Sequence, residues 1–328
     1  MLRSYPYSAK LSLVFAFLLL PTCLPSKPVV FATDIGGDID DTWALAHILR
    51  TKELDLKMVL TETGEAKYRA KVAAKVLQVA GREDVIVGLG KDFGIMPDSD
   101  RHQGQWVKNY KLSDYKGTVE QDGVRAFIDL VESSKETVTV IAVGPVPSLA
   151  AAIEKRPDIA KKCDFFGMFG SFYLGYDGSK EISAEYNVAN NVDAFRVVIG
   201  AEWKSITLTP LDTCGMFYLS GEEYQEIWRA TSDPLLNAVI ENYCLWAPRV
   251  PWIHCDFFTH KSSTLFDDVA VYMSYNGKLL NYELLRFDLT RDGKTIVSLN
   301  GEFEANVATS WKDINEFSRS LTTRLLRK

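Results

Sequence analysis

Residues 34–41 read DIGGDIDD and put four carboxylates, Asp34, Asp38, Asp40 and Asp41, directly after the apolar run Val29-Val30-Phe31-Ala32. Like charges this close raise one another's pKa and cost stability unless something neutralises them. A helix N-terminus does part of that work. Asp40 and Asp41 on a first turn would each gain ~0.3–1 kcal/mol from the helix dipole. Capping leaves Asp34, at a strand end, without a reason, and also the two glycines that let the backbone turn tightly. A hard divalent cation accounts for all of it, because oxygen-only ligands suit Ca²⁺ or Mg²⁺. The cluster has no His or Cys, which argues against zinc. It is acidic and lacks a lysine, so it is not a phosphate loop. It also lacks the spacing of an EF-hand loop.

The elements that must position these groups alternate along the chain. Strands are expected at 29–34, 56–63, 85–90, 137–144, 164–170 and 205–211. Helices are expected at 40–50, 65–81, near 119–133 and at 146–156. Repeated βαβ units with near-continuous apolar strands define an α/β fold: an open, mostly parallel, Rossmann-like sheet with helices on both faces. A C-terminal region follows, with several helices, a hairpin over 284–301 around Arg291-Asp292-Gly293, and an amphipathic closing helix over 309–326. No linker or repeat interrupts the pattern, so residues 27–328 read as a single domain.

In open α/β sheets the site lies beyond the carboxyl ends of the strands. Asp34 follows the first strand, and Glu62 and Glu65 follow the second. AVGPVPS follows the 137–144 strand. FGSFYLGYDG and then AEYN (184–187) follow the 164–170 strand, and LFDDVAV, with Asp267 and Asp268, opens a late helix. Polar groups therefore converge on one edge.

VVFATDIGGDIDDTWAL resembles the N-terminal signature of the nucleoside hydrolases (the inosine–uridine-preferring family) in its longer D-x-G-x-D-x-D-D form. The resemblance runs on through TETGEAKYRAKVAAKVLQVAGRED, VTVIAVGPVPSLAAAI, AEYN and LFDDVAV, so it covers essentially the whole chain after residue 26. It implies the nucleoside hydrolase fold and Ca²⁺-dependent cleavage of the N-glycosidic bond of a small-molecule nucleoside. In that reading Asp34, Asp41, Asp267 and the backbone carbonyl of Val143 ligate calcium, and Asp34 is also the base toward water. Either Asp38 or Asp40 binds a ribose hydroxyl, Glu65 stands where the family has Asn or Asp, and Glu185 and Asn187 hold the 5′- and 3′-hydroxyls. Clustered negative charge suits an oxocarbenium-like ribosyl transition state.

The chain departs from the family pattern in three places. Phe266 stands where purine-activating members carry a His, and Ser179 where an Asn is usual; Glu65 is longer than the family residue. His254, His260, Tyr224 and the aromatic stretch 243–254 are the alternatives for protonating the leaving base. Two other functions compete. One is a calcium- and ribose-binding relative without catalysis. The other is a metal-dependent phosphohydrolase, for which the site is too acidic.

The chain has 328 residues, 47% of them hydrophobic, with a net charge of −6 and no long basic run, which makes nucleic acid an unsuited partner. Arg3 and Lys10, the apolar run 11–20 and a small polar segment read as a secretory signal peptide over residues 1–26, with an uncleaved membrane anchor as the alternative. The expected location is secreted or lumenal. Cys163, Cys214, Cys244 and Cys255 then remain, enough for up to two disulfides. The resemblance further implies a homodimer or homotetramer.

Overall fold

The computed structural model describes residues 26–250 and 260–327. The expected signal segment, save Ser26, lies outside the described residues, as do His254 and Cys255. The strands are β1 (Lys27–Thr33), β2 (Leu54–Thr61), β3 (Ile86–Gly88), β4 (Val119–Glu120), β5 (Val138–Ala142), β6 (Cys163–Met168), β7 (Ser205–Thr209), β8 (Leu280–Leu289), β9 (Thr295–Val297) and β10 (Phe303–Trp311). The helices are α1 (Asp40–Leu49), α2 (Ala66–Val79), α3 (Gly123–Ser133), α4 (Pro147–Lys155), α5 (Tyr186–Asn190), α6 (Val192–Ile199), α7 (Gly221–Arg229), α8 (Pro234–Trp246), α9 (Phe266–Tyr275) and α10 (Ile314–Leu325).

All these strands form one sheet in the order β4-β3-β2-β1-β5-β6-β7-β10-β8-β9. Pairing is parallel from β4 through β10, and antiparallel where β8 meets β10 and β9. The chain leaves β1 toward β2 on one side and later returns to add β5 on the other. The crevice between β1 and β5 is therefore the topological switch point, where open α/β sheets bind ligands.

β1 explains the layering. Its side chains alternate between faces. Val29 and Phe31 enter the core shared with α1, α2, α8, α9 and α10, while Val30 and Ala32 enter the core shared with α3, α4 and α6. All four are fully buried. Burying each of the larger side chains is worth about 1.5–3 kcal/mol, so β1 is held from both sides and Asp34 leaves it at a fixed point.

In the C-terminal region the structure bears out one part of the sequence reading and corrects another. The 284–301 hairpin is present as β8 and β9, with Phe287 opposite Val297. A further strand, β10, was not anticipated. It inserts between β7 and β8 and takes up Thr309–Trp311, so the closing helix begins at Ile314 rather than at 309. Asp313 caps it, accepting from the Glu316 amide at 2.8 Å. Phe317 then packs on Phe217, Tyr272 and Trp311. The pairing of β10 is made with residues far away in sequence, so its local pattern carries little of the signal.

Candidate active site

Asp34 sits one residue past β1, 8% exposed. The loop behind it turns at Gly36, whose φ of +101° suits glycine; a Cβ there would come within 2.8 Å of the Tyr68 ring. Tyr68 donates its hydroxyl to the Gly36 carbonyl at 2.8 Å and so pins the turn. On the β5 side the fit is equally close, because a Cβ on Gly144 would lie 2.5 Å from Asp34 Oδ1.

The loop delivers Asp40 and Asp41 to the first turn of α1, both buried. The N-cap Ile39 offers no side-chain cap, so these carboxylates face the helix dipole. Thr33 Oγ1 donates to Asp41 Oδ1. From the other side α9 begins with Asp267, also buried. One carboxylate oxygen from each of Asp40, Asp41 and Asp267 falls within 4.8 Å of the others. Three buried carboxylates cannot all stay charged at that spacing without a counter-ion. Burial raises all three pKa values well above the ordinary carboxylate range, and their neighbours' charges add to the rise. The donor set is all oxygen and buried, which fits a hard divalent cation.

Asp34 stands on the same cavity but leans toward Arg69, whose Nη2 is 3.5 Å from Asp34 Oδ2. Burial raises the Asp34 pKa, and the guanidinium opposes the rise. Arg69 is itself held by the Ile35 carbonyl (3.1 Å) and the Thr63 carbonyl (2.5 Å). The sequence holds a trace of this role. Arg69 falls on the stripe Ala66, Arg69, Ala73, Val76 of α2, a charge on an otherwise apolar buried face.

The far wall comes from the ends of β5 and β6 and from α5. Glu185 is the N-cap of α5 and accepts from the amides of Asn187 (2.7 Å), Val188 (3.2 Å) and Gly170 (3.1 Å). Burial pushes its pKa up to about 7 against those three donors. Asn187 donates through Nδ2 to the Val143 carbonyl at 3.2 Å and the Met168 carbonyl at 3.0 Å, tying the two strand ends together. Glu62 is buried behind this wall. It accepts from the Ser148 (2.6 Å) and Leu149 (3.2 Å) amides at the start of α4, and burial pushes its pKa up to about 8.

These groups open on a cavity of about 650 Å³. Asp34, Asp38, Asp40, Asp41, Val143, Glu185, Asn187 and Asp267 all line it. Asp38 is at the rim, where its carboxylate accepts the Ile39 amide at 2.7 Å, and burial raises its pKa to about 6. Glu65 is elsewhere. It pairs with Arg101 at 2.6 Å, accepts from the Met96 amide, and lines a separate neighbouring cavity. The apolar end of the main cavity is built from Phe266, Trp246, Tyr176 and Val250. Tyr176 meets Phe266 edge-on, with centroids 6.4 Å apart, and accepts the Tyr186 amide on its hydroxyl at 2.9 Å. Neither Tyr224 nor His260 lines this cavity, and Tyr224 is buried between Trp228 and Tyr243. His102 and Arg249, not singled out in the sequence, do line it; His102 Nδ1 is 2.9 Å from the Gly37 carbonyl. Ser179 is exposed and accepts the Glu181 amide. Cys163 and Cys214 are buried and Cys244 half-buried, all as free thiols.

Fold and site together define a class: an α/β protein with an acidic pocket, able to hold a cation, at the switch point of its sheet. Residues 29–318 match the inosine-uridine preferring nucleoside hydrolase family, and the chain belongs to that family. It is similar to the probable uridine nucleosidase 2 of Arabidopsis thaliana, 25% identical over 181 residues, covering 52% of this chain and 55% of that one. It is also similar to the pyrimidine-specific ribonucleoside hydrolase RihA of Citrobacter koseri, 24% identical over 221 residues, covering 65% of this chain and 69% of that one. The match thus spans little more than half the length of the first relative. Among solved structures, a plant nucleoside hydrolase superimposes with a TM-score of 0.76 at 21% identity, covering 93% of this chain and all of that one. A purine-preferring ribonucleoside hydrolase from Gardnerella vaginalis gives 0.73 at 20% identity, covering 91% of this chain and 98% of that one. At these identities the likeness is one of fold.

Proposed function

We propose that the protein is a Ca²⁺-dependent ribonucleoside N-ribohydrolase, releasing free base and ribose. The observation that carries the reading is the convergence of Asp40, Asp41 and Asp267 beside Asp34 and the Val143 carbonyl at the β1–β5 crevice. Asp41, Asp267, Asp34 and the Val143 carbonyl would hold the ion, with Asp40 close enough to join them. When bound, calcium supplies a Lewis acid that acidifies a water and a template for two ribose hydroxyls.

Asp34 takes the proton from the attacking water, and Arg69 beside it keeps the carboxylate ionised enough to do so. The water oxygen bonds to C1′ as the C1′–N bond breaks, and the electron pair leaves with the base. The clustered carboxylates stabilise the positive charge that builds on the ribosyl ring. Glu185 and Asn187 position the sugar from the α5 side, and Asp38 or Asp40 takes a further hydroxyl. The base lies against Phe266 and Trp246, whose faces can stack on it. Phe266 cannot give it a proton. The leaving nitrogen therefore takes its proton from a polar group lining the cavity, with His102 a candidate, or from solvent.

Protein from residue 27 onward, given inosine, adenosine, uridine and cytidine, tests this. Calcium-dependent ribose release that chelator stops and Asp34→Ala lacks would support it. Protein that binds calcium yet releases no ribose would sink it. A second reading, a non-catalytic calcium- and ribose-binding relative, draws on Phe266 and the exposed Ser179, and nucleoside binding without base release would favour it. Secretion by the N-terminal segment and a homo-oligomeric state belong to the same proposal, resting on sequence pattern and family resemblance. None of the helices among the described residues is long and apolar enough to cross a membrane.

A further inference from the structure

Asp267 has a neighbour that the family reading leaves without a role. Asp268 is fully buried, and its Oδ1 is 3.0 Å from His47 Nδ1. His47 is also fully buried, near the C-terminal end of α1, and its Nε2 is 3.0 Å from the Tyr275 hydroxyl on the last turn of α9. The pattern is satisfied when the phenol donates to Nε2 and Nδ1–H donates to the carboxylate. His47 thus grips both ends of α9 from one point on α1. Arg324 of α10 lies 4.3 Å over the Tyr275 ring and is held by two 2.9 Å contacts to Glu53, so the grip is backed from outside.

The carboxylates that would hold the cation are divided between the same two helices, Asp40 and Asp41 on α1 and Asp267 on α9. Their charges push these helices apart. The first turn of α9 has no side-chain cap of its own, since Leu265 stands at the N-cap. Successive residues on a helix point about 100° apart. Fixing Asp268 on His47 therefore fixes the direction in which Asp267 projects. Among the described residues Asp268 Oδ2 is buried without a hydrogen-bond partner, so there the carboxylate is anchored through its His47 side.

We propose that Tyr275–His47–Asp268 is a strut that sets the spacing of α1 and α9, so that His47 and Asp268 are positioning residues for the metal ligands. The inference rests on the metal-site reading above. Groups that orient metal ligands typically change affinity by about 10–100-fold when removed.

The test is calorimetric titration of Ca²⁺, and separately of Mg²⁺ and Mn²⁺, into chelator-stripped protein. His47→Leu removes both contacts. His47→Asn keeps a donor where Nδ1 was and should rescue. Tyr275→Phe loosens only the far end. The expected result is Ca²⁺ binding weakened about 10–100-fold in His47→Leu and within about threefold of wild type in His47→Asn, although both lower the melting temperature of the stripped protein. A structural role alone would move melting and leave affinity in place. His47→Leu that folds, by circular dichroism, and binds Ca²⁺ as wild type does would overturn the strut and leave the metal site standing. If His47→Leu does not fold, Asp268→Ala and His47→Asn decide the matter: Asp268→Ala removes the oxygen that accepts from His47, and wild-type affinity in it, or loss of affinity in His47→Asn, would contradict the proposal. Wild-type protein that takes up none of the three cations would overturn the metal site and the strut with it.

Discussion

Arg69 Nη2 lies 3.5 Å from Asp34 Oδ2, and both side chains are almost fully enclosed. The guanidinium lowers the Asp34 pKa against the rise that burial causes. Replacing it with methionine removes that opposition, so Asp34 holds its proton to higher pH. In Arg69→Met the acidic limb of the kcat/KM profile should move to higher pH, with activity at neutral pH down roughly tenfold or more. Arg69→Lys keeps a charge and should restore part of the limb. In Arg69→Met the buried Ile35 carbonyl and the half-buried Thr63 carbonyl lose their donor, at a cost of about 1–3 kcal/mol of stability. An unmoved acidic limb in Arg69→Met would remove Asp34 from the role of base.

The chelated protein should lose stability as pH rises. Folding raises the pKa of Glu62 from 4.5 to about 8 and of Glu185 from 4.5 to about 7, and raises those of Asp40, Asp41 and Asp267 well above 3.8. The folded state then binds more protons than the unfolded one. Stability is full below the unfolded values and drains away as pH climbs from about 4.5 through about 8. Calcium at 100 times its Kd should return about 2.7 kcal/mol. Melting followed by fluorescence, with chelator and with calcium, should show a gap that widens from acid to neutral pH. A chelated protein whose melting temperature rises over that window would contradict this.

Neutralising one member of the acidic trio separates its two roles. Asp267→Asn relieves repulsion and should raise the melting temperature of the chelated protein, while weakening calcium binding by tenfold or more and removing ribose release. Loss of melting temperature without calcium would mean that Asp267 is a structural cap rather than a ligand.

Asn187 ties the Val143 and Met168 carbonyls together. Asn187→Ala should lower kcat/KM for ribonucleosides about tenfold, the worth of one or two lost hydrogen bonds, mostly through KM. Calcium binding should weaken as well, because the Val143 carbonyl loses its tether. A change confined to thermal stability would take Asn187 out of the sugar site.

Phe266→His should speed release of purine bases by about 100-fold or more, the usual worth of a positioned acid. Hydrolysis of p-nitrophenyl riboside, whose leaving group needs no proton, should stay near its starting rate. Equal gains on both substrates would show that the change acts on packing against Tyr176 and not on leaving-group protonation.

The acidic loop, the parallel βαβ frame and the order of motifs could be read from the chain alone. They depend on local pattern: apolar strands of fixed period, glycines at a turn, carboxylates where a strand ends. Glu185, Asn187, Val143 and Asp267 could be named by resemblance because the motifs are short and their spacing survives. Distances across the fold were another matter. The closing of Asp40 and Asp41 on Asp267 depends on how α1 packs against α9, more than 200 residues away. The turning of Glu65 toward Arg101, the placing of Arg69 beside Asp34 and the insertion of β10 between β7 and β8 are likewise choices among distant partners. Sequence determined which chemical groups stand at the strand ends, because period and turn residues act over a few positions. Which of those groups meet, and at what separation, was decided only when burial of the two cores fixed the helices against the sheet.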